Sequence, residues 1–287
     1  MVIKVAKDAG YCFGVREAVK LAKKTADEHG EVYMLGHIVH NENVVKELEE
    51  SGARVVESLD EVPADKPIMF RAHGTKPKVW QKAWDKGMSI VDATCPLVTE
   101  IHREVKRLER DDRKIIIIGD HGHDEVIGIA SQVEEAIIVS SSEEASKLSK
   151  IRRAGVVTQS TQMIENVQGI INILMTKVFD LRLVNTICYP TRRNHEQIKA
   201  LAEESDIMLV IGSFTSANSK RLLQLSKQRN ERSYQVTYEG DINEDWFNKE
   251  DLVGISAGAS TPDNVIENVI NKIQEIGHVK KEDILHE

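Results

Sequence analysis

Short runs of β-branched residues alternate along the chain with stretches whose apolar residues recur every three or four positions. The runs predict strands at residues 2–5, 32–35, 68–71, 89–91, 115–118, 137–140, 155–158, 181–185, 207–211, 234–237 and 253–256. Several are apolar throughout, as in Ile115-Ile116-Ile117-Ile118, which suits strands of a parallel sheet covered on both faces. Between them the helical period is plain. Residues 15–28 carry apolar side chains at 15, 18, 19, 22 and 26, and residues 98–110 carry them at 98, 101, 105 and 108. Alternation of this kind predicts an α/β architecture built of βα units with mostly parallel sheets. Residues 277–287 are charged and read as a loose tail.

The bulk figures narrow the class. The chain has 287 residues, more than one small core accommodates, so two or three domains are expected. Its net charge is −8 with no basic block, which argues against a nucleic-acid partner, whose phosphates are met mainly by Lys and Arg. Lys4 and Lys7 interrupt the N-terminus before an apolar signal core forms, and no apolar run reaches membrane-spanning length. A cytoplasmic protein without a membrane partner is expected. An odd number of cysteines, three, then argues against a disulfide framework.

Those cysteines divide the chain into near-thirds. Cys12 stands in Gly-Tyr-Cys-Phe-Gly before a helix, Cys95 in Asp-Ala-Thr-Cys-Pro after a strand, and Cys188 in Asn-Thr-Ile-Cys-Tyr-Pro after another. A buried thiol is the ordinary fate of a cytosolic cysteine. Three in the same setting suggest a shared purpose. A helix start carries partial positive charge and favours the thiolate that a metal requires. The pattern implies three similar α/β domains around one centre: residues 1–96, with Cys12 and Cys95 at its ends, 97–187, and 188–287, which begins with Cys188.

The predicted strand ends add polar residues, where parallel sheets bind ligands. They carry His40 and Asn41; His73, Gly74 and Thr75; His121, His123 and Glu125; Gln159, Ser160, Thr161 and Gln162; Ser216, Asn218 and Ser219; and Ser260 and Thr261. Helix capping accounts for any one of the Ser, Thr or Asn residues. Glu125 alone reads as a first-turn acid. Together they make a neutral, hydrogen-bonding cradle for a small anion, with His40 and His73 as donors. No nucleotide-binding glycine pattern is present, so a small phosphate ester or diphosphate is expected.

The segments Gly10-Tyr-Cys12-Phe-Gly-Val, His40-Asn41, Ala72-His73-Gly74, Asp92-Ala-Thr-Cys95-Pro and Gly122-His123-x-Glu125-Val resemble the 4-hydroxy-3-methylbut-2-enyl diphosphate reductase family. So do Thr158-Gln159-x-Thr161, Ile187-Cys188, Ser216-x-Asn218-Ser219 and Ala257-Gly-Ala-Ser260-x-Pro-Asp263, in the family's order from residue 10 to about 276. The resemblance implies a trefoil of the three domains around one central 4Fe-4S cluster held by Cys12, Cys95 and Cys188, with one iron open to substrate. It implies reductive removal of an allylic hydroxyl to give isopentenyl and dimethylallyl diphosphates, the last step of the non-mevalonate isoprenoid pathway. Glu125 is then the proton donor, with His123, Thr161 and Ser160 as its relay. His40, His73, His123, Ser216, Asn218 and Ser260 hold the diphosphate. The electron donor implied is a ferredoxin or flavodoxin. Arg192 and Arg193 are candidate contacts by their proximity to Cys188 in sequence, a solvated helix start being the simpler reading of them. Ser160 replaces a frequent Thr and Ala217 a common Ser, the latter removing one diphosphate contact.

Two other classes remain open on residues alone. A zinc hydrolase could use His121, His123, Glu125 and the cysteines, but the close ligand spacings usual for zinc are missing. An iron–sulfur sensor or phosphate-binding module would hold its group without turnover.

Overall fold

A computed structural model describes residues 1–286. The strands, numbered along the chain, are β1 (Val2–Val5), β2 (Val32–Leu35), β3 (Ala53–Val56), β4 (Ile68–Phe70), β5 (Ile90–Asp92), β6 (Lys114–Ile118) and β7 (Ala136–Val139). They continue with β8 (Ile151–Thr158), β9 (Val178–Leu183), β10 (Ile207–Ile211), β11 (Ser233–Val236), β12 (Leu252–Ala257) and β13 (Ile284–His286). The helices are α1 (Phe13–His29), α2 (Glu42–Glu50), α3 (Pro77–Asp85), α4 (Pro96–Arg110) and α5 (Asp124–Ala130). After them come α6 (Ser142–Lys147), α7 (Ile164–Lys177), α8 (Tyr189–Glu204), α9 (Ala217–Lys227) and α10 (Asp263–Gly277).

Three parallel sheets result, in the orders β3-β2-β4-β5, β7-β6-β8-β9 and β11-β10-β12-β1-β13. The α/β expectation therefore holds. The middle sheet shows why its isoleucines are unbroken. Ile116 and Ile118 pack with Val156 against Val167, Ile170 and Leu174 of α7. Ile115 and Ile117 face the other way, with Val157, onto Ile101, Val105 and Leu108 of α4. Helix α4 comes so close to β8 that a Cβ on Gly155 would lie 2.8 Å from the Leu108 Cβ.

Two expectations need correction. Strand β1 was expected with residues 1–96, yet it pairs parallel to β12, Ile3 opposite Val253, in the sheet of the last third. The expected tail contains β13, which pairs along the other edge of β1, Ile3 opposite Ile284. A three-residue strand between charged neighbours has no readable period; the open edge of β1 supplies the hydrogen-bonding partners that order it. Strand β3 was also not anticipated.

The chain forms two compact units. One comprises Met1–Arg16, His40–Lys46 and Tyr189–Glu287 and contains the sheet with β1; the other comprises Glu17–Val39 and Glu47–Cys188 and contains the remaining two sheets.

Candidate active site

In the two-sheet unit the candidate residues lie just beyond the carboxyl ends of β4, β5, β6, β8 and β9. Glu125 occupies the second position of α5, where an exposed acid would be unremarkable, but it is only 2% exposed. Its burial is matched by donors from the loop after β8. The Ser160 N–H donates to Glu125 Oε1 at 2.6 Å, and the Ser160 hydroxyl to Oε2 at 2.7 Å. A buried carboxylate needs such donors, because water does not compensate it. The carbonyl of Ser160 in turn accepts from the Cys188 N–H at 2.9 Å. One residue thus ties the carboxyl group to a cysteine.

His123 caps α5, its Nδ1 accepting from the Glu125 N–H at 3.2 Å. An accepting Nδ1 puts the ring proton on Nε2 in neutral histidine and leaves that atom as a donor. The rings of His123 and His73 meet edge to face, centroids 5.8 Å apart. Thr161 accepts from Gln159 Nε2 at 3.0 Å, while Gln159 Oε1 accepts from the Asp120 N–H at 2.9 Å. Gln159, fully buried, is the brace between the β6 and β8 loops. It stands among the strand-end residues without having been assigned a role; an amide with two partners in separate loops carries no signal in a linear pattern. Another such element is the Arg71–Asp124 ion pair at 2.8 Å, which ties the end of β4 to the first residue of α5. Cys95 is the N-cap residue of α4, with Pro96 as the first helical residue, and its N–H donates to the carbonyl of Ala72, next to His73.

In the other unit Cys12 directly precedes α1, and its N–H donates to the Ala259 carbonyl at 3.1 Å. Burial pushes the Cys12 thiol above its ordinary value, against the N–H groups of Val15 and Gly14 in the first turn of α1. The Ser260 hydroxyl donates to the His40 carbonyl at 3.2 Å. Asn41 turns its Oδ1 to the N–H groups of Asn43 and Val44 at the start of α2. Ser216 caps α9, accepting from the Ser219 N–H at 3.3 Å, so the capping explanation holds for this residue. It does not hold for Asn218. That residue is 5% exposed, and among the described residues neither its Oδ1 nor its Nδ2 has a hydrogen-bond partner. The neighbouring Ser219 Oγ is likewise unpartnered. Buried amides seldom go unsatisfied, so this helix start is suited to a polar ligand.

All three cysteines lie beside helix starts and none forms a disulfide among the described residues. A family model described as LytB protein matches residues 3–274. The chain belongs to the LytB protein family. Among its relatives is the 4-hydroxy-3-methylbut-2-enyl diphosphate reductase of Geobacter sulfurreducens, 38% identical over 98% of this chain and 100% of the relative. The protein of the same name from Aquifex aeolicus is 37% identical over 96% of each chain. Among solved structures, the E-1-hydroxy-2-methyl-but-2-enyl-4-diphosphate reductase from Plasmodium falciparum matches with a TM-score of 0.93 at 26% identity, covering 100% of this chain and 92% of that one. A second, (E)-4-hydroxy-3-methyl-but-2-enyl diphosphate reductase, described as the terminal enzyme of the non-mevalonate pathway, matches with a TM-score of 0.71 at 36% identity, covering 96% and 100%. The family match therefore runs through both units.

Proposed function

We propose that this chain is a 4-hydroxy-3-methylbut-2-enyl diphosphate reductase, which removes the allylic hydroxyl as water with two electrons and two protons. Its products are isopentenyl diphosphate and dimethylallyl diphosphate, at the end of the non-mevalonate isoprenoid pathway. Full-length likeness to reductases of that name supports the reading. The single observation that carries it further is the buried Glu125 carboxyl, held by both donors of Ser160 on a residue bonded to the Cys188 backbone.

The LytB family is one of iron–sulfur enzymes, and the donor set here fits such a group. Cys12, Cys95 and Cys188 are all thiols outside any disulfide, each beside a helix start, and at Cys12 the N–H groups of Val15 and Gly14 are directed at sulfur. For Cys12, replacing the thiol proton by metal lets those N–H groups act unopposed on a thiolate. Three thiolates suit a 4Fe-4S cluster with one iron left to the substrate. When bound, the cluster supplies electrons and a Lewis-acidic iron for the hydroxyl oxygen.

The protein's own residues do the rest. Hydroxide is a poor leaving group, and Glu125 in its acid form delivers the proton that lets it leave as water. Ser160 fixes the orientation of that carboxyl, while Thr161 and His123 complete the proton relay. His40, His73, His123, Ser216, Asn218 and Ser260 are assigned to the diphosphate by the family motifs. The unpartnered Asn218 amide supports this most directly. Binding the diphosphate away from the reacting carbon supplies orientation. A ferredoxin or flavodoxin supplies the electrons, and the cytoplasm is the expected location. No helix among the described residues is long and apolar enough to cross a membrane.

Anaerobic purification followed by turnover of the allylic diphosphate with reduced methyl viologen tests the reading. A brown, iron-containing protein that forms both products is expected, and Cys→Ser at 12, 95 or 188 should each lower the bound iron. A colourless or zinc-containing protein, or a brown one without turnover, would overturn it.

A further inference from the structure

The residues that follow two of the cysteines are large, aromatic and open to solvent. Phe13, next to Cys12, is 59% exposed, and Tyr189, next to Cys188, is 62% exposed. They begin α1 and α8. Within their unit these two helix starts are fastened together through Asp8. Arg193, one turn into α8, meets Asp8 Oδ2 at 2.8 Å. Gln197, a turn further on, donates to the same oxygen at 2.7 Å and accepts from the Asp8 N–H at 3.1 Å. The loop that leads into Cys12 is therefore anchored to the helix that follows Cys188.

Arginines decorate this face. Arg193 lies over the Tyr189 ring, 5.5 Å from its centroid, and Arg16 over the Tyr11 ring at 5.6 Å. Arg16 also pairs with Asp263 at 3.2 Å. Arg192 is exposed, and among the described residues it has no ion-pair partner. Two of the three arginines are thus matched by acids, which leaves the Arg192 guanidinium as an unpaired cation on a chain of net charge −8. Exposed aromatics beside oriented arginines are the composition of interface anchors, and an exposed unpaired arginine among them favours an acidic partner.

We propose that the face formed by Tyr11, Phe13, Arg16, Tyr189, Arg192 and Arg193 is the docking surface for a small acidic electron-carrier protein. The inference rests on the reductase reading above. Each turnover breaks the allylic C–O bond, forms one C–H bond and releases water, consuming two electrons and two protons. Two reduced one-electron carriers are each oxidised once to supply those electrons. A carrier seated here stands one residue along the chain from two of the proposed metal ligands, which shortens the path an electron must cross.

The test uses the cluster-loaded enzyme with reduced 2Fe-2S ferredoxin as the protein probe and reduced methyl viologen as the small reductant. Arg192→Glu should raise the KM for ferredoxin by about fivefold or more and flatten its salt dependence, because a charged contact governs encounter. Turnover with viologen should not change, and Arg192→Lys should keep most of the ferredoxin affinity. Tyr189→Ser, compared at equal bound iron, should show the same selective loss. An unchanged ferredoxin KM in Arg192→Glu and Tyr189→Ser, or equal losses with both reductants, would overturn the docking surface. So would a wild-type enzyme that works with viologen and not with ferredoxin. A wild type inactive with viologen would instead sink the reductase reading itself.

Discussion

Replacing Ser160 by alanine isolates one hydrogen bond in the proposed proton-delivery site. Only the hydroxyl is removed, and with it the 2.7 Å contact to Glu125 Oε2. The Ser160 N–H to Oε1 and the carbonyl that accepts from Cys188 belong to the backbone and stay. Glu125 is 2% exposed, so water does not take the place of the lost donor. Leaving one oxygen of a buried carboxyl without its donor costs about 1–3 kcal/mol. At about 1.4 kcal/mol per factor of ten, the donor's loss from carboxyl positioning predicts a fall in kcat of roughly 10- to 100-fold. KM for the diphosphate should change little, since this hydroxyl is not assigned to it. Bound iron and visible absorbance should match the wild type, because the Cys188 contact survives. Ser160→Thr, which returns the hydroxyl, should recover most of the rate. The assay is anaerobic steady-state turnover with saturating reduced methyl viologen, normalised to bound iron. An alanine variant with wild-type kcat would refute the positioning argument. A loss of activity that merely follows a loss of iron would assign Ser160 a structural role instead.

Three further outcomes are expected. Glu125→Gln should keep the bound iron and the substrate affinity while kcat falls by about 10²- to 10⁴-fold, the usual range for a lost acid–base group; a near-normal kcat would end its role as proton donor. Asn218→Ala should raise KM for the diphosphate by about tenfold or more with a smaller effect on kcat, as the loss of a hydrogen bond to an anion predicts, and equal affinity by calorimetry would remove it from the binding set. His102 on α4, half-buried and with no hydrogen-bond partner for its Nε2 among the described residues, is held down to about 4, first by burial and then by Lys106, with Asp92 opposing. Its unfolded value is near 6.5, so the unfolded chain binds more protons between about pH 4 and 6.5, and this part of the stability is complete above that window and lost as pH falls through it. Denaturant midpoints from pH 7 to 5 should therefore fall less steeply for His102→Leu than for the wild type, and parallel slopes would contradict the assignment.

Local pattern was enough for much of this protein. The isoleucines of β6 declare a strand buried on both faces because burial removes the need for alternation. Cys95 followed by proline declares a helix start because proline tolerates only the first turn. The strand-end residues were legible for a similar reason: in parallel sheets the chemistry gathers where strands stop, so reading the ends collects the candidates together with Glu125.

Other features depend on parts of the chain that no local window contains. Strand β1 belongs with β12, about 250 residues away, because two edges match in register, a property of neither segment alone. Ser216 and Asn218 read alike in sequence as polar residues at a helix start, yet only Ser216 spends its side chain on the cap. Glu125 by itself read as a first-turn acid, and only the family resemblance made it a proton donor. The approach of the β8 loop buries its carboxyl and supplies the two Ser160 donors, which no local window contains. Sequence by itself determined which residue types stand at strand ends and helix starts. Only tertiary structure decided which of them are desolvated and which partner each hydrogen bond takes, because burial and hydrogen-bond geometry arise when distant segments meet.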